Sequence, residues 1–121
     1  FNLKEVLETI NARIVVLLDR DHTIGHSYFM QLNSHDTKGL KGVFENNIIP
    51  LLQEYFYHDY EKIALVLGEG FVSLPTDSAS KVRFARFSAT PLETPDNGKR
   101  FELKKEITDI EAAIELLLNR E

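Results

Sequence analysis

Apolar residues recur along the first part of the chain at steps of three and four. Leu3, Leu7, Ile10, Ile14, Leu17 and Leu18 make one stripe, which predicts an amphipathic helix over residues 3–18. Asn2 is placed to cap it, and Glu5 three residues on can close a capping box. The β-branched run Ile14-Val15-Val16 lowers helix propensity slightly without interrupting the stripe. Asn11 and Arg13 lie on or near its flanks. Residues 22–36 form a joint. Gly25 is free to take positive φ and turn the chain there. Tyr28, Phe29, Met30 and Leu32 are expected to pin the joint to the core, and Asn33-Ser34-His35-Asp36 is turn chemistry that offers a cap for the next helix.

A second helix is predicted from about Thr37 to Asn47, carrying Leu40, Val43 and Phe44. Pro50 then breaks or kinks the pattern, because it has no N–H and its ring clashes with the preceding turn. It suits the first turn of a new helix bearing Leu51, Leu52, Tyr55 and Phe56. His58-Asp59 is a further joint, with Asp59 as N-cap. The next helix is short, with Ile63, Ala64, Val66 and Leu67, and is stopped by Gly68.

After Gly70 the pattern changes. Val82-Arg83-Phe84-Ala85-Arg86-Phe87 alternates and reads as a strand, and Phe101-Glu102-Leu103-Lys104 as its antiparallel partner. Pro91, Pro95 and Asp96-Asn97-Gly98 mark the loop between them, at about 13 residues long for a hairpin. Phe71-Val72 is a candidate edge strand. Helical spacing returns from Asp109 to about Asn119 in Ile110, Ala113, Ile114, Leu117 and Leu118, with Thr108 and Glu111 as a capping box. The fold class is therefore α+β, mainly α. The 121 residues form one domain: a helical part over 1–68, a β-ribbon with a long loop over 69–108, and a C-terminal helix over 109–121.

Composition narrows the classes. Hydrophobic residues make up 43% and charged residues 27%, enough for one core. No apolar run reaches the ~20 residues of a membrane span, so no membrane partner is expected. Cysteine is absent, which removes disulfides and thiolate metal sites and fits a reducing, cytoplasmic setting. The net charge of −5 argues against a surface built to coat nucleic-acid phosphates. The chain opens at Phe1, with a helix pattern almost at once, so it reads as a piece of a longer protein.

Candidate chemistry is sparse. His22, His26, His35 and His58 never fall at metal-binding spacing within one helix, so no metal site is expected. Ser27 next to His26 lacks the strand–elbow–helix setting of a nucleophile. Asp19 with Asp21 sits at a helix end, and Glu111 with Glu115 faces solvent, so neither pair serves as general acid and base. No phosphate-cradling loop is present, and Gly68-Glu69-Gly70 lacks the rest of a dinucleotide fingerprint. Three helices and a ribbon outline a winged-helix module, with Lys81, Arg83 and Arg86 as phosphate contacts. Glu45, Glu54 and Glu61 on the middle helices oppose that reading. Tyr55 and Phe56 fit the core, whereas Tyr57 and Tyr60 are partly surplus to it and suit an interface with a neighbouring subdomain or another protein.

Four segments occur in order: Asn11-Ala12-Arg13-Ile14, Leu17 to His22, Ile24-Gly25-His26-Ser27-Tyr28-Phe29, and Ile48 to Tyr57. Together they resemble the C-terminal end of the McrB-type AAA+ GTPases, the motor subunits of modification-dependent restriction systems. The resemblance covers residues 3 to 68 and weakens from residue 71 onward. It implies a small helical lid that packs over nucleotide held by an upstream AAA+ core and touches the next subunit of a ring homo-oligomer. It also implies GTP (or ATP) and Mg as cofactors of the parent, a nuclease subunit as partner, and DNA met through other domains. The Ile24–Phe29 motif would lie at or near the nucleotide-facing surface, with Arg20, His26 and Ser27 as the candidates for contacting nucleotide or relaying its state. The Walker motifs, sensor asparagine and arginine fingers of the family are missing, so the chain is not catalytic alone.

Overall fold

The structure is a computed structural model, which describes residues 2–30, 32–33, 36–74, 85–92 and 101–120. Helix α1 (Leu3–Leu17) starts where Asn2 Oδ1 accepts a hydrogen bond from the Glu5 amide at 3.2 Å. The Glu5 carboxylate does not reach back to Asn2, as a full capping box would need, but pairs with Arg120. The buried face is the row Val6, Ile10 and Ile14. Leu3, Leu7 and Leu17 pack at its margin and Leu18 is exposed, so the buried stripe is rotated from the predicted one. The partner explains the rotation: α1 lies on α4 (Tyr60–Leu67), and Arg13 Nη1 donates to the Val66 carbonyl at 2.7 Å.

Pro50 does not break the middle of the chain. Helix α2 (Thr37–Val43), a π-helical turn (Phe44–Ile48) and α3 (Ile49–Tyr55) run on as one rod, with right-handed helical dihedrals at both junctions. The sequence explains the wide turn. Leu40, Phe44, Ile48, Leu52 and Phe56 repeat every four residues and all are buried. At about 3.6 residues per turn such a row drifts by about 40° at each step. A turn with more residues per revolution cancels part of that drift and keeps the row on one face. The π register also brings the Ile49 N–H to the Phe44 carbonyl, just before proline interrupts the ladder. Asp36 caps α2, as expected, by accepting from the Gly39 amide at 2.9 Å.

Asp59 caps α4, accepting from the Lys62 amide, and α4 ends at Gly68 with φ of 87°. Strand β1 (Val72–Ser73) pairs antiparallel with β2 (Glu102–Leu103), Val72 opposite Leu103. The candidate edge strand at Phe71-Val72 thus pairs with the expected strand at 101–104. Residues 85–87 are exposed and in no strand, while 82–84 and the turn at 96–98 lie outside the described residues. Phe71 and Val72 enter the core, whereas Phe87 stands 57% exposed. Helix α5 (Ile110–Leu117) is capped by Asp109, which accepts from the Ala112 amide at 3.1 Å. Asp109 holds the extended dihedrals a cap needs, so the cap sits one residue after the expected Thr108, and Ala112 at the third position cannot close a box. Helix α5 packs on α2, and the buried residues from Val6 to Leu117 form one cluster. The fold is mainly helical with a small antiparallel sheet.

Candidate functional site

The joint between α1 and α2 is built by three consecutive anchors. Asp19 comes first. Its Oδ1 accepts from the His22 amide at 3.0 Å and lies 2.6 Å from the His22 ring Nδ1. A carboxylate only accepts, so Nδ1 carries the hydrogen. This side-chain hydrogen bond holds the Asp19 carboxyl below its ordinary range, against a smaller opposing effect of burial. The His22 ring stands edge-on to Tyr55, with centroids 4.9 Å apart. Burial pushes the Tyr55 phenol up, helped by Tyr28 and Glu54.

Asn11 is the second anchor. Its Nδ2 donates to the Ile24 carbonyl at 2.9 Å, and its Oδ1 accepts from the Ile24 amide at 2.6 Å. The Ile24 side chain is itself buried. Phe29 is the third, buried at the end of a 3₁₀ turn (His26–Phe29) and tilted against Phe44. Between Ile24 and Phe29 the chain arches outward, and residues 25–28 are exposed. Gly25 does not take positive φ; its φ of −72° and ψ of 156° are extended, and the 3₁₀ turn does the turning. Two expected anchors are corrected here. Met30 is 72% exposed and Tyr28 is exposed too, because a short 3₁₀ turn can present only part of its apolar run to the core.

Against the arch lies a groove of about 480 Å³, lined by Leu3, Leu7, Asn11, His26, Phe29 and Met30, with Lys4 and Glu8 at one side. His26 is thus brought to a concave surface, with Ser27 exposed beside it on the same turn. Arg20 is exposed at the α1 end of the joint and does not line that groove; its carbonyl accepts from Thr23 Oγ1. Among the described residues, the Arg20 guanidinium, the His26 ring and the Ser27 hydroxyl make no hydrogen bond or ion pair. His35 lies outside the described residues, and no three His, Asp or Glu side chains among those described converge to hold a metal.

The two tyrosines singled out as surplus part company. Tyr57 is 90% exposed on a knuckle where Tyr57 and His58 both adopt left-handed dihedrals, φ 50° and 61°. The knuckle closes the end of α3 through the His58 amide, which donates to the Gln53 carbonyl at 2.9 Å. Tyr60 is half-buried, and its hydroxyl is engaged by Gln53 Nε2 at 3.3 Å and lies 3.2 Å from His58 Nδ1. It serves the fold, and Tyr57 is the one presented outward.

Sequence reasoning left Asn11 and Arg13 without a role. For Asn11 the signal available was a poor helix former on the flank of a buried stripe in a helix interior. Arg13 is partly buried, which lowers its pKa, and its guanidinium satisfies a carbonyl in the last turn of α4. On this side of α1 a second groove of about 620 Å³ runs past Ala12, Val16, Leu17 and Leu65.

A helical rod, a capped joint and an outward arch define a lid-like helical subdomain. The match to known families agrees: residues 2–64, just over half of the chain, match the alpha-helical lid domain of McrB, and the chain belongs to that family. The matched region holds the joint, the arch and the Tyr57 knuckle, and stops before β1. A lid of this family associates with an AAA+ core in its parent. No curated protein matches the chain. Among the described residues no helix is long and apolar enough to cross a membrane.

Proposed function

We propose that the chain is the lid of an McrB-like AAA+ NTPase, a GTPase motor subunit of a cytoplasmic DNA restriction system. In this reading it senses nucleotide and supports ring assembly, and catalysis and DNA recognition lie elsewhere in the parent and its nuclease partner. One observation supports it above others. Arg20, His26 and Ser27 offer a cation and two donors that are exposed and unengaged, on a joint pinned at Asp19, Asn11 and Phe29. Exposed donors of this kind suit the phosphate or sugar oxygens of GTP or ATP. Magnesium, in this reading, is held in the parent and not by this chain alone. A contact on a pinned arch biases the position of the whole lid, which is the differential interaction between two states that a switch requires. Tyr57 is assigned to contact with the neighbouring subunit, since a large aromatic held outward adds contact area at low entropic cost.

The test is His26→Ala and Arg20→Ala in the full parent subunit, scored by nucleotide-driven assembly and GTP turnover. Loss of one charge-assisted or neutral hydrogen bond predicts a fall of about tenfold or more in apparent nucleotide affinity. Thermal stability should hardly move, because both side chains are exposed. An unchanged turnover rate and oligomer size would sink the reading. Salt-dependent DNA binding by the isolated chain, weakened by Arg86→Ala, would instead favour the winged-helix alternative.

A further inference from the structure

The Asn11–Ile24 clamp is built like one rung of an antiparallel ladder. A single side-chain amide exchanges both N–H···O bonds with one residue, as two strands do at a hydrogen-bonded pair. Both its hydrogen-bonding functions are spent on Ile24, within a helix where asparagine is a poor former. Asn11 also lines the same groove as His26, so the clamp and the arch share a wall. On its other flank α1 is tied to α4 through Arg13 and the Val66 carbonyl. An uninterrupted set of bonds therefore runs from the arch through α1 to α4.

We infer that Asn11 is a positioning residue, which seats the His26–Phe29 arch in register with α1 so that a contact at His26 displaces the helix and not the loop alone. The inference rests on the nucleotide-facing reading of the arch. Without the clamp, Ile24 and Phe29 would still hold the arch by burial. Burial is non-directional and leaves the arch free to slide, whereas two opposed hydrogen bonds fix its register.

Two measurements on the full parent subunit test it. The first is hydrogen exchange without nucleotide. Asn11→Ala should speed exchange at residues 22–30 by about tenfold, the worth of a lost hydrogen bond, and leave residues 63–67 unchanged. Unchanged protection of the arch, or an even loss through α1 and α4, would overturn the role. Asn11→Asp adds a readout that a filler residue would not give. Its carboxylate accepts from the Ile24 amide but opposes the Ile24 carbonyl until protonated. Arch protection should therefore recover relative to Asn11→Ala as pH falls through the titration of the introduced group, and absence of recovery counts against the clamp.

The second measurement is nucleotide-driven assembly of Asn11→Ala, His26→Ala and the double variant. Each single change should weaken it about tenfold, and the double no more than the worse single, because both act on one contact. A double effect near hundredfold overturns the inference. A silent His26→Ala overturns the nucleotide-facing reading and, with it, transmission from the arch. The exchange experiment then still decides whether Asn11 seats the arch.

Discussion

Arg120 Nη2 lies 2.7 Å from Glu5 Oε2, so the segment after α5 is tied to the first turn of α1 across a separation of 115 residues. The pair is partly solvated, with side chains 57% and 36% exposed. An exposed ion pair contributes about 1 kcal/mol at most. The second oxygen, Glu5 Oε1, is buried without a partner, so losing Arg120 leaves the whole carboxylate unengaged. Arg120→Ala should therefore cost about 1 kcal/mol alone and clearly less in a Glu5→Gln background. Urea denaturation of the four proteins of the cycle measures this, and a coupling indistinguishable from zero would show the pair idle.

Two glycines flank the passage from α4 to β1 and are constrained for different reasons. Gly68 holds φ of 87° and ψ of −179°, a region that side chains disfavour. At Gly70 the space is missing: a Cβ would stand 2.6 Å from the Ala113 Cα in α5. Gly68→Ala should cost about 1–3 kcal/mol through strain. Gly70→Ala should cost about as much or more by forcing α5 off the core. The discriminating measurement is a double change with Ala113→Gly. It should relieve part of the Gly70→Ala cost and none of the Gly68→Ala cost in thermal unfolding.

The helices are legible in the sequence because their caps are local. Asn2, Asp36 and Asp59 act where their sequence neighbourhoods place them, and Gly68 stops α4 as expected. The features that the sequence hides depend on partners distant along the chain. The face of α1 is centred on Val6 because α4 lies there, and no local count shows that. Local chemistry alone makes Pro50 a break. The four-residue row from Leu40 to Phe56 contains the answer, since only a widened turn keeps it on one side. The joint is legible as a polar, aromatic motif, yet its geometry depends on Asn11, 13 residues before Ile24. The pairing of β1 with β2 goes with burial of Phe71 and Val72 against residues distant in the chain, which no local pattern shows.

Phe44 is the side chain on which these distant parts meet. It is fully buried, stacks on Phe71 at 4.7 Å and 21°, and faces Phe29 at 6.5 Å. It thus joins the rod to the arch and to the ribbon. Phe44→Ala should cost about 3–5 kcal/mol, from lost transfer energy and the cavity left behind. Phe44→Leu should cost much less. Because the loss touches both neighbours, hydrogen exchange should rise at Phe29 and at Phe71 alike. A rise at one alone would show that the rod does not couple them.

The acid limb of stability carries the signature of Asp19. The His22 hydrogen bond holds the folded carboxyl below its ordinary value, while in the unfolded chain it returns to about 3.9. A depressed carboxyl binds its proton more weakly folded than unfolded. Its contribution is therefore fully present above the unfolded value and is lost as pH falls through the folded one. Asp19→Asn keeps an acceptor for the His22 amide but removes the charge. The two proteins should differ in urea midpoint near neutral pH, and the gap should close as pH falls below about 4. A gap that stays constant over that range would mean that Asp19 acts as a neutral cap. The ring contact at 2.6 Å would then carry no charge-dependent part of the joint's stability.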